Sequence, residues 1–84
     1  PRQLRYSCGR SAVELDLDVG GDKLRVVGRV LPAASVEVVA HWPGGRRSTA
    51  SDAAGGFRFD ELPRRPLCFE VTGPAPVKTG WVVA

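Results

Sequence analysis

Residues able to carry enzyme chemistry are few in this chain. His41 is the only histidine, so a nucleophile activated by an imidazole base would have to lie beside it. No Gly-x-Ser-x-Gly elbow occurs, and His41 stands next to Trp42 in a segment that alternates like a strand. We therefore interpret His41 as a surface or capping residue, predict no catalytic residue, and expect that the chain is not an enzyme.

The two cysteines, Cys8 and Cys68, match neither a Cys-x-x-Cys motif nor a zinc-ligand spacing. A disulfide between them would join the first strand to a late one and contribute about 4 kcal/mol through loop closure. The alternative is two reduced, buried thiols, as in a cytoplasmic protein. We favour the second alternative, in which both cysteines are reduced.

A row of acids is the other candidate cation site. Alternate residues of a strand are about 7 Å apart on one face, so Ca²⁺ would bind only if loop carbonyls converged on them. We favour a solvated face paired with arginines of the next strand, and we predict no metal or cofactor. The acids are Glu14, Asp16 and Asp18, and the facing arginines are Arg25 and Arg29.

Macromolecular contact fits the remaining residues better than chemistry does. Trp42 and Trp81 are the best candidates, because a half-exposed tryptophan is the commonest anchor of an interface. Arginines could add a basic patch near Trp42, but the net charge of +3 is too small to favour nucleic acid. The candidate arginines are Arg46, Arg47, Arg58, Arg64 and Arg65.

Strands must position these residues, because apolar and polar residues alternate with period two between Gly, Pro and Asp breaks. Segment 13–19 is the clearest case, with Val13, Leu15, Leu17 and Val19 expected to face inward. Segment 46–51 is polar on both faces and predicts a short edge strand. The predicted strands are 3–7, 13–19, 24–31, 35–42, 46–51, 56–60, 67–71 and 77–83.

The second and third strands should form a hairpin, and two registers fit the pattern. A turn at Gly21-Asp22 places Asp18 opposite Arg25, whereas a turn at Gly20-Gly21 places Asp16 there. Both registers keep the same faces, so the pattern leaves the choice open, and we favour the first.

These elements predict an all-β, Greek-key sandwich of about seven short antiparallel strands, in which residues 1–84 form one domain. No apolar run is long enough to span a bilayer, so no membrane association is predicted. The chain contains no Met, so we expect it to be a piece of a longer protein.

Segment 52–71 resembles the signature of carboxypeptidase-regulatory-like, prealbumin-like sandwich domains. It combines an Asx-type turn, a strand with alternating aromatics, a Leu-Pro corner and a returning strand. Such domains are accessories for stability, docking or carbohydrate contact. The residues carrying the resemblance are Asp52, Gly55, Phe57, Phe59, Leu62 and Pro63, followed by Leu67, Phe69 and Val71.

A closer resemblance covers nearly the whole chain. Segments 4–6, 13–19, 26–32, 52–63 and 77–83 look like the C-terminal β-domain of small actinobacterial proteins encoded beside extracytoplasmic-function sigma factors. Arg47 replaces a usual aliphatic residue and Arg65 a usual glycine. The likeness implies a cytoplasmic, transcription-associated protein partner.

We therefore expect a non-catalytic interaction module that binds a protein, with self-association through an edge strand as one form of that contact. The alternative is an extracellular carbohydrate-binding or structural module. A disulfide between Cys8 and Cys68 and exposed planar aromatics are the features that the alternative requires.

Overall fold

The computed structural model describes residues 2–83, which form two four-stranded antiparallel sheets packed face to face. The first sheet has the order β1-β2-β3-β6 and the second the order β5-β4-β7-β8. The predicted all-β sandwich is confirmed, and its eight strands correspond in order to the eight predicted segments. The strands are β1 (Arg2–Cys8), β2 (Ser11–Gly20), β3 (Lys23–Leu31), β4 (Glu37–Trp42), β5 (Gly45–Ala50), β6 (Gly56–Pro63), β7 (Cys68–Val71) and β8 (Val77–Lys78).

The connections between the sheets give the sandwich its Greek-key order. Strands β4 and β5 form a hairpin, and β5 lies beside β6 where the edges of the two sheets meet. Strand β3 pairs with β6, and β7 returns to pair with β4. Strand β4 therefore pairs with β7, and β6 pairs with β3, although neither pair is consecutive in the chain.

The core lies between the inner faces of the two sheets. Its largest fully buried side chain is that of Phe69, and Phe59 packs against it with ring centroids 6.0 Å apart. Full burial of such side chains contributes roughly 1.5–3 kcal/mol each, mostly offset by conformational entropy. The core residues are Val13, Leu15, Leu17, Leu24, Val26, Val30, Val38, Ala40, Phe57, Phe59, Leu62, Leu67, Phe69, Val71, Val77 and Val82.

The β2-β3 hairpin adopts the register in which Gly21 and Asp22 form the turn. Asp18 is opposite Arg25 and Glu14 is opposite Arg29, as in the favoured prediction. Val19 is opposite the buried Leu24 and so lies on the inward face as predicted, but at the end of the strand its side chain is 42% exposed.

The Asp52 motif builds the tight turn that leads into β6. The Asp52 carboxylate accepts hydrogen bonds from the N–H groups of Ala54 and Gly56, both at 2.9 Å. Gly55 has a φ of +85°, and a Cβ there would collide with the Val30 carbonyl oxygen. Turn geometry therefore accounts for the residue types at Asp52 and Gly55.

Residues 2–83 include no helix with the length and hydropathy that a membrane span requires.

Candidate interaction surface

The segment after β8 carries the most exposed large apolar side chains of the described chain. Val77 and Thr79 face the core, as period two requires, and Lys78 and Gly80 face solvent. Continued alternation would turn Trp81 inward. Instead Val82 is buried at 3% exposure, whereas Trp81 is 61% exposed and Val83 is 59% exposed.

A β-bulge causes this reversal. The Thr79 N–H donates to the Phe69 carbonyl, and Leu67 and Val82 exchange a further pair of backbone hydrogen bonds. Gly80 and Trp81 therefore both lie opposite the single residue Cys68, so one extra residue is inserted. The predicted strand 77–83 is correspondingly broken into β8 and an isolated bridge at Val82.

Buried groups on either side hold the bulge in place. The Thr79 hydroxyl accepts the Phe69 N–H at 2.9 Å and donates to the Gly80 carbonyl at 2.8 Å. The Cys68 thiol donates to the Thr79 carbonyl at 3.1 Å. Hydrogen bonds of Thr79 and the burial of Val82 therefore anchor the backbone on both sides of Trp81.

Trp42, the other predicted contact residue, has a different role. Its side chain is half-buried and packs against the core at the end of β4. The indole lies over Gly45, where a Cβ would approach the ring Nε1 to 2.9 Å. Trp42 therefore closes the β4-β5 hairpin, and Trp81 is the tryptophan available for contact.

Two of the candidate arginines are engaged with backbone carbonyls. Arg47 donates from Nη1 to the Glu61 carbonyl at 2.9 Å and so links the adjoining edges of β5 and β6. Arg65 donates from Nη1 to the Pro43 carbonyl at 3.3 Å and contacts the β4-β5 hairpin.

The other three arginines do not complete one patch. Arg46 is opposite His41 on the outer face of the second sheet. Arg58 lies on the outer face of the first sheet and pairs with Asp60 at 2.6 Å. Arg64 is exposed in the loop after β6. The basic surface expected around Trp42 is therefore divided between two opposite faces and a loop.

The structure brings His41 close to an acid that the sequence did not single out. The Nε2 atom of His41 is 3.1 Å from Oε1 of Glu70 on β7, and Cys68 is directly opposite His41. A thiol, an imidazole and a carboxylate could form a nucleophilic triad. Here the Cys68 thiol donates to Thr79 instead and is only 7% exposed, so the arrangement does not present a nucleophile to solvent.

Two acids of the row on β2, Glu14 and Asp18, are opposite cations, whereas Asp16 lies between Gln3 and Val27. Glu14 forms an ion pair with Arg5 of β1 at 2.8 Å and is opposite Arg29 of β3. Among residues 2–83 no group of three or more metal-binding side chains is placed to hold an ion. A shallow depression of about 450 Å³ adjoins these residues, and its lining mixes charged and apolar side chains.

The cysteines are unpaired. Cys8 is exposed at the end of β1, and Cys68 is buried in β7. Only Cys68 is a buried thiol of the kind expected from the sequence.

Comparisons of the chain with protein-family models, with curated proteins and with solved structures gave no match.

Proposed function

We propose that this chain is a non-catalytic β-sandwich module that binds a protein partner through the Trp81 surface, defined as Lys78, Gly80, Trp81 and Val83. The observation that carries the proposal is the outward orientation of Trp81, which is 61% exposed on a backbone held by buried neighbours. A fully packed tryptophan buries about 150–250 Å², so this exposure forgoes roughly 2–4 kcal/mol of apolar burial. Binding a partner recovers that energy.

The cellular setting belongs to the same proposal. The resemblance to domains encoded beside sigma factors supports a cytoplasmic partner involved in transcription. In this proposal the module is an accessory that docks a larger protein, and its interior serves stability alone.

Affinity capture with matched variants tests the proposal. The wild-type chain, Trp81→Ala and Val27→Ala serve as baits, since Val27 is an exposed apolar residue (43%) on the outer face of the other sheet. We expect a protein retained by wild type and Val27→Ala and lost with Trp81→Ala. Equal retention by all three baits would remove Trp81 from the proposed site.

Carbohydrate binding is the second candidate, because an exposed indole also stacks on sugar rings. A glycan array read with wild type and Trp81→Ala separates the two functions. Binding of a glycan that depends on Trp81, without any retained protein, would replace our proposal with the carbohydrate function.

A further inference from the structure

Three chain connections meet at the end of the sandwich that carries Trp81. Strands β2, β4 and β6 all finish there, so the β2-β3 turn, the β4-β5 turn and the loop after β6 lie side by side. The Arg64 N–H donates to the Asp22 carbonyl and the Arg65 guanidinium to the Pro43 carbonyl, so the loop is bonded to both turns. We define the turn end as residues 2, 19–23, 43–44, 63–66 and 81–83.

The net charge of +3 is concentrated at the turn end. Four of the twelve Lys and Arg residues are exposed there with one of the nine acids, Asp22, so eight residues of each sign remain elsewhere and cancel. Lys78 belongs to those eight, because it is directly opposite Glu70. The four cations of the turn end are Arg2, Lys23, Arg64 and Arg65.

No side-chain ion pair within residues 2–83 involves any of these four cations. Lys23 is opposite uncharged residues on both neighbouring strands. The next acids behind the end are Asp18, which is opposite Arg25, and Glu61, which lies in the bulge of β6 across from Arg25. A partner at the turn end therefore meets positive charge that the chain itself does not neutralise.

Exposed apolar side chains are concentrated at the same end. Of the four large apolar side chains exposed in residues 2–83, Val19, Trp81 and Val83 lie at the turn end, and only Val27 lies elsewhere. Apolar side chains surrounded by charged ones are typical of a protein interface. A nucleic acid would gain base stacking from Trp81 alone, since valine offers no stacking platform. A protein partner therefore fits this end better.

We infer that the turn end binds an acidic surface of the protein partner. Apolar side chains of the partner cover Trp81 and Val83, and carboxylates surround them opposite the four cations. The inference rests on the proposed function and names the chemistry of the partner. Charge disfavours a second copy of the chain, because two turn ends placed face to face would bring like charges together.

The test uses a yeast-displayed library of a three-helix scaffold with one randomised face. The library is selected for binding to the whole chain and counter-selected against Trp81→Ala, so every retained clone requires Trp81. We expect the retained faces to be enriched in Asp, Glu and apolar residues over the unselected library. Their binding should weaken as NaCl is raised from about 0.05 M to about 0.5 M, because salt screens exposed charges.

Two variants make the same change of charge at opposite ends of the molecule. Arg64 and Arg10 are both exposed in connections between strands, and neither side chain has a hydrogen-bond partner within residues 2–83. We expect Arg64→Glu to weaken binding of the retained clones by about tenfold or more, chiefly through slower association. Arg10→Glu should leave their affinity unchanged within about twofold.

The same two variants serve as baits in the affinity capture, with a lysate treated with nuclease. The protein lost with Trp81→Ala should also be lost with Arg64→Glu and retained by Arg10→Glu. If that protein depends on Trp81 but binds both charge variants equally, the proposed function stands and this inference fails. If nothing captured depends on Trp81, the proposed function itself fails.

Other outcomes also overturn the inference. A library without clones that require Trp81, retained faces without acidic enrichment, or equal binding of the clones to the two charge variants would each do so. Loss of the captured protein after nuclease treatment would overturn it in favour of nucleic acid. A dimer in sedimentation that Trp81→Ala dissociates would overturn it in favour of a second copy.

Discussion

At the scale of single residues, side chains of the same type have opposite roles. Trp42 covers the hairpin glycine Gly45, and Trp81 stands in solvent. Arg47 and Arg65 bind carbonyls of neighbouring segments, whereas Arg46 and Arg64 have no such partner among the described residues. Residue type therefore indicated candidates, and the local backbone decided which of them can reach another molecule.

The two tryptophans can be distinguished by fluorescence. Trp42→Phe leaves Trp81 as the only emitter, and its spectrum should be close to that of free tryptophan and strongly quenched by acrylamide. Trp81→Phe leaves Trp42, which should emit at shorter wavelength and be quenched less, because its indole is half-buried. Identical quenching of the two variants would contradict the bulge orientation.

The turn glycine Gly55 should be intolerant of a side chain. Gly55→Ala adds a Cβ that meets the Val30 carbonyl in a backbone with φ +85°, so we expect a loss of about 2–4 kcal/mol in the free energy of unfolding. Gly44→Ala is the control, because its φ of +97° carries the same backbone strain with open space around the Cβ. Urea denaturation should show the larger loss for Gly55→Ala, and equal losses would count against the collision.

At the scale of elements, one inserted residue decides what the last strand displays. Thr79 and Val82 are both buried, which requires an odd number of extra residues between them relative to a regular strand. The Thr79 hydroxyl accepts the hydrogen bond from the Phe69 N–H, which a backbone carbonyl would accept in a regular strand. Thr79 therefore helps to stabilise the bulge that orients Trp81 outward.

Removal of that hydroxyl should weaken the terminal segment. Thr79→Val keeps the shape and leaves the Phe69 N–H without an acceptor, which costs about 1–3 kcal/mol for a buried group. Thr72→Val is matched to it, because the Thr72 hydroxyl donates to the Glu37 carbonyl at an exposed position. Thermal and urea unfolding should show a clearly larger loss for Thr79→Val, and rapid exchange of the Phe69 amide should accompany it.

At the scale of the whole molecule, the edges of the two sheets meet along two seams. Arg47 of β5 bonds the Glu61 carbonyl of β6 at one seam, and Arg2 of β1 bonds the Val83 carbonyl at the other. Such contacts occupy edge carbonyls that could otherwise pair with another chain.

Opening the first seam should promote association. Arg47→Ala frees the Glu61 carbonyl at a cost of at most about 1 kcal/mol in stability, since the bond is exposed. We expect more self-association than for Arg46→Ala, which removes the same charge from the same strand without opening the seam. Sedimentation velocity over a range of concentrations measures this, and equal behaviour of the two variants would show that the Arg47 contact does not guard the edge.

The sequence by itself determined the approximate positions of β1 to β7, the inward faces of β2, β3 and β6, and the Asp52 turn. These features depend on period two and on turn residues within a few positions of one another, so local reading suffices. The hairpin register needed the structure, because both turns kept the same faces.

Only the tertiary structure decided the candidate site. The His41–Glu70 contact and the Arg47–Glu61 seam join residues far apart in sequence, which no periodicity reports. The bulge at Gly80 and Trp81 accompanies the burial of Val82 and its paired hydrogen bonds with Leu67. A single inserted residue reverses the faces of every residue after it. The exposure of Trp81 therefore follows from the bulge, which the tertiary packing decides.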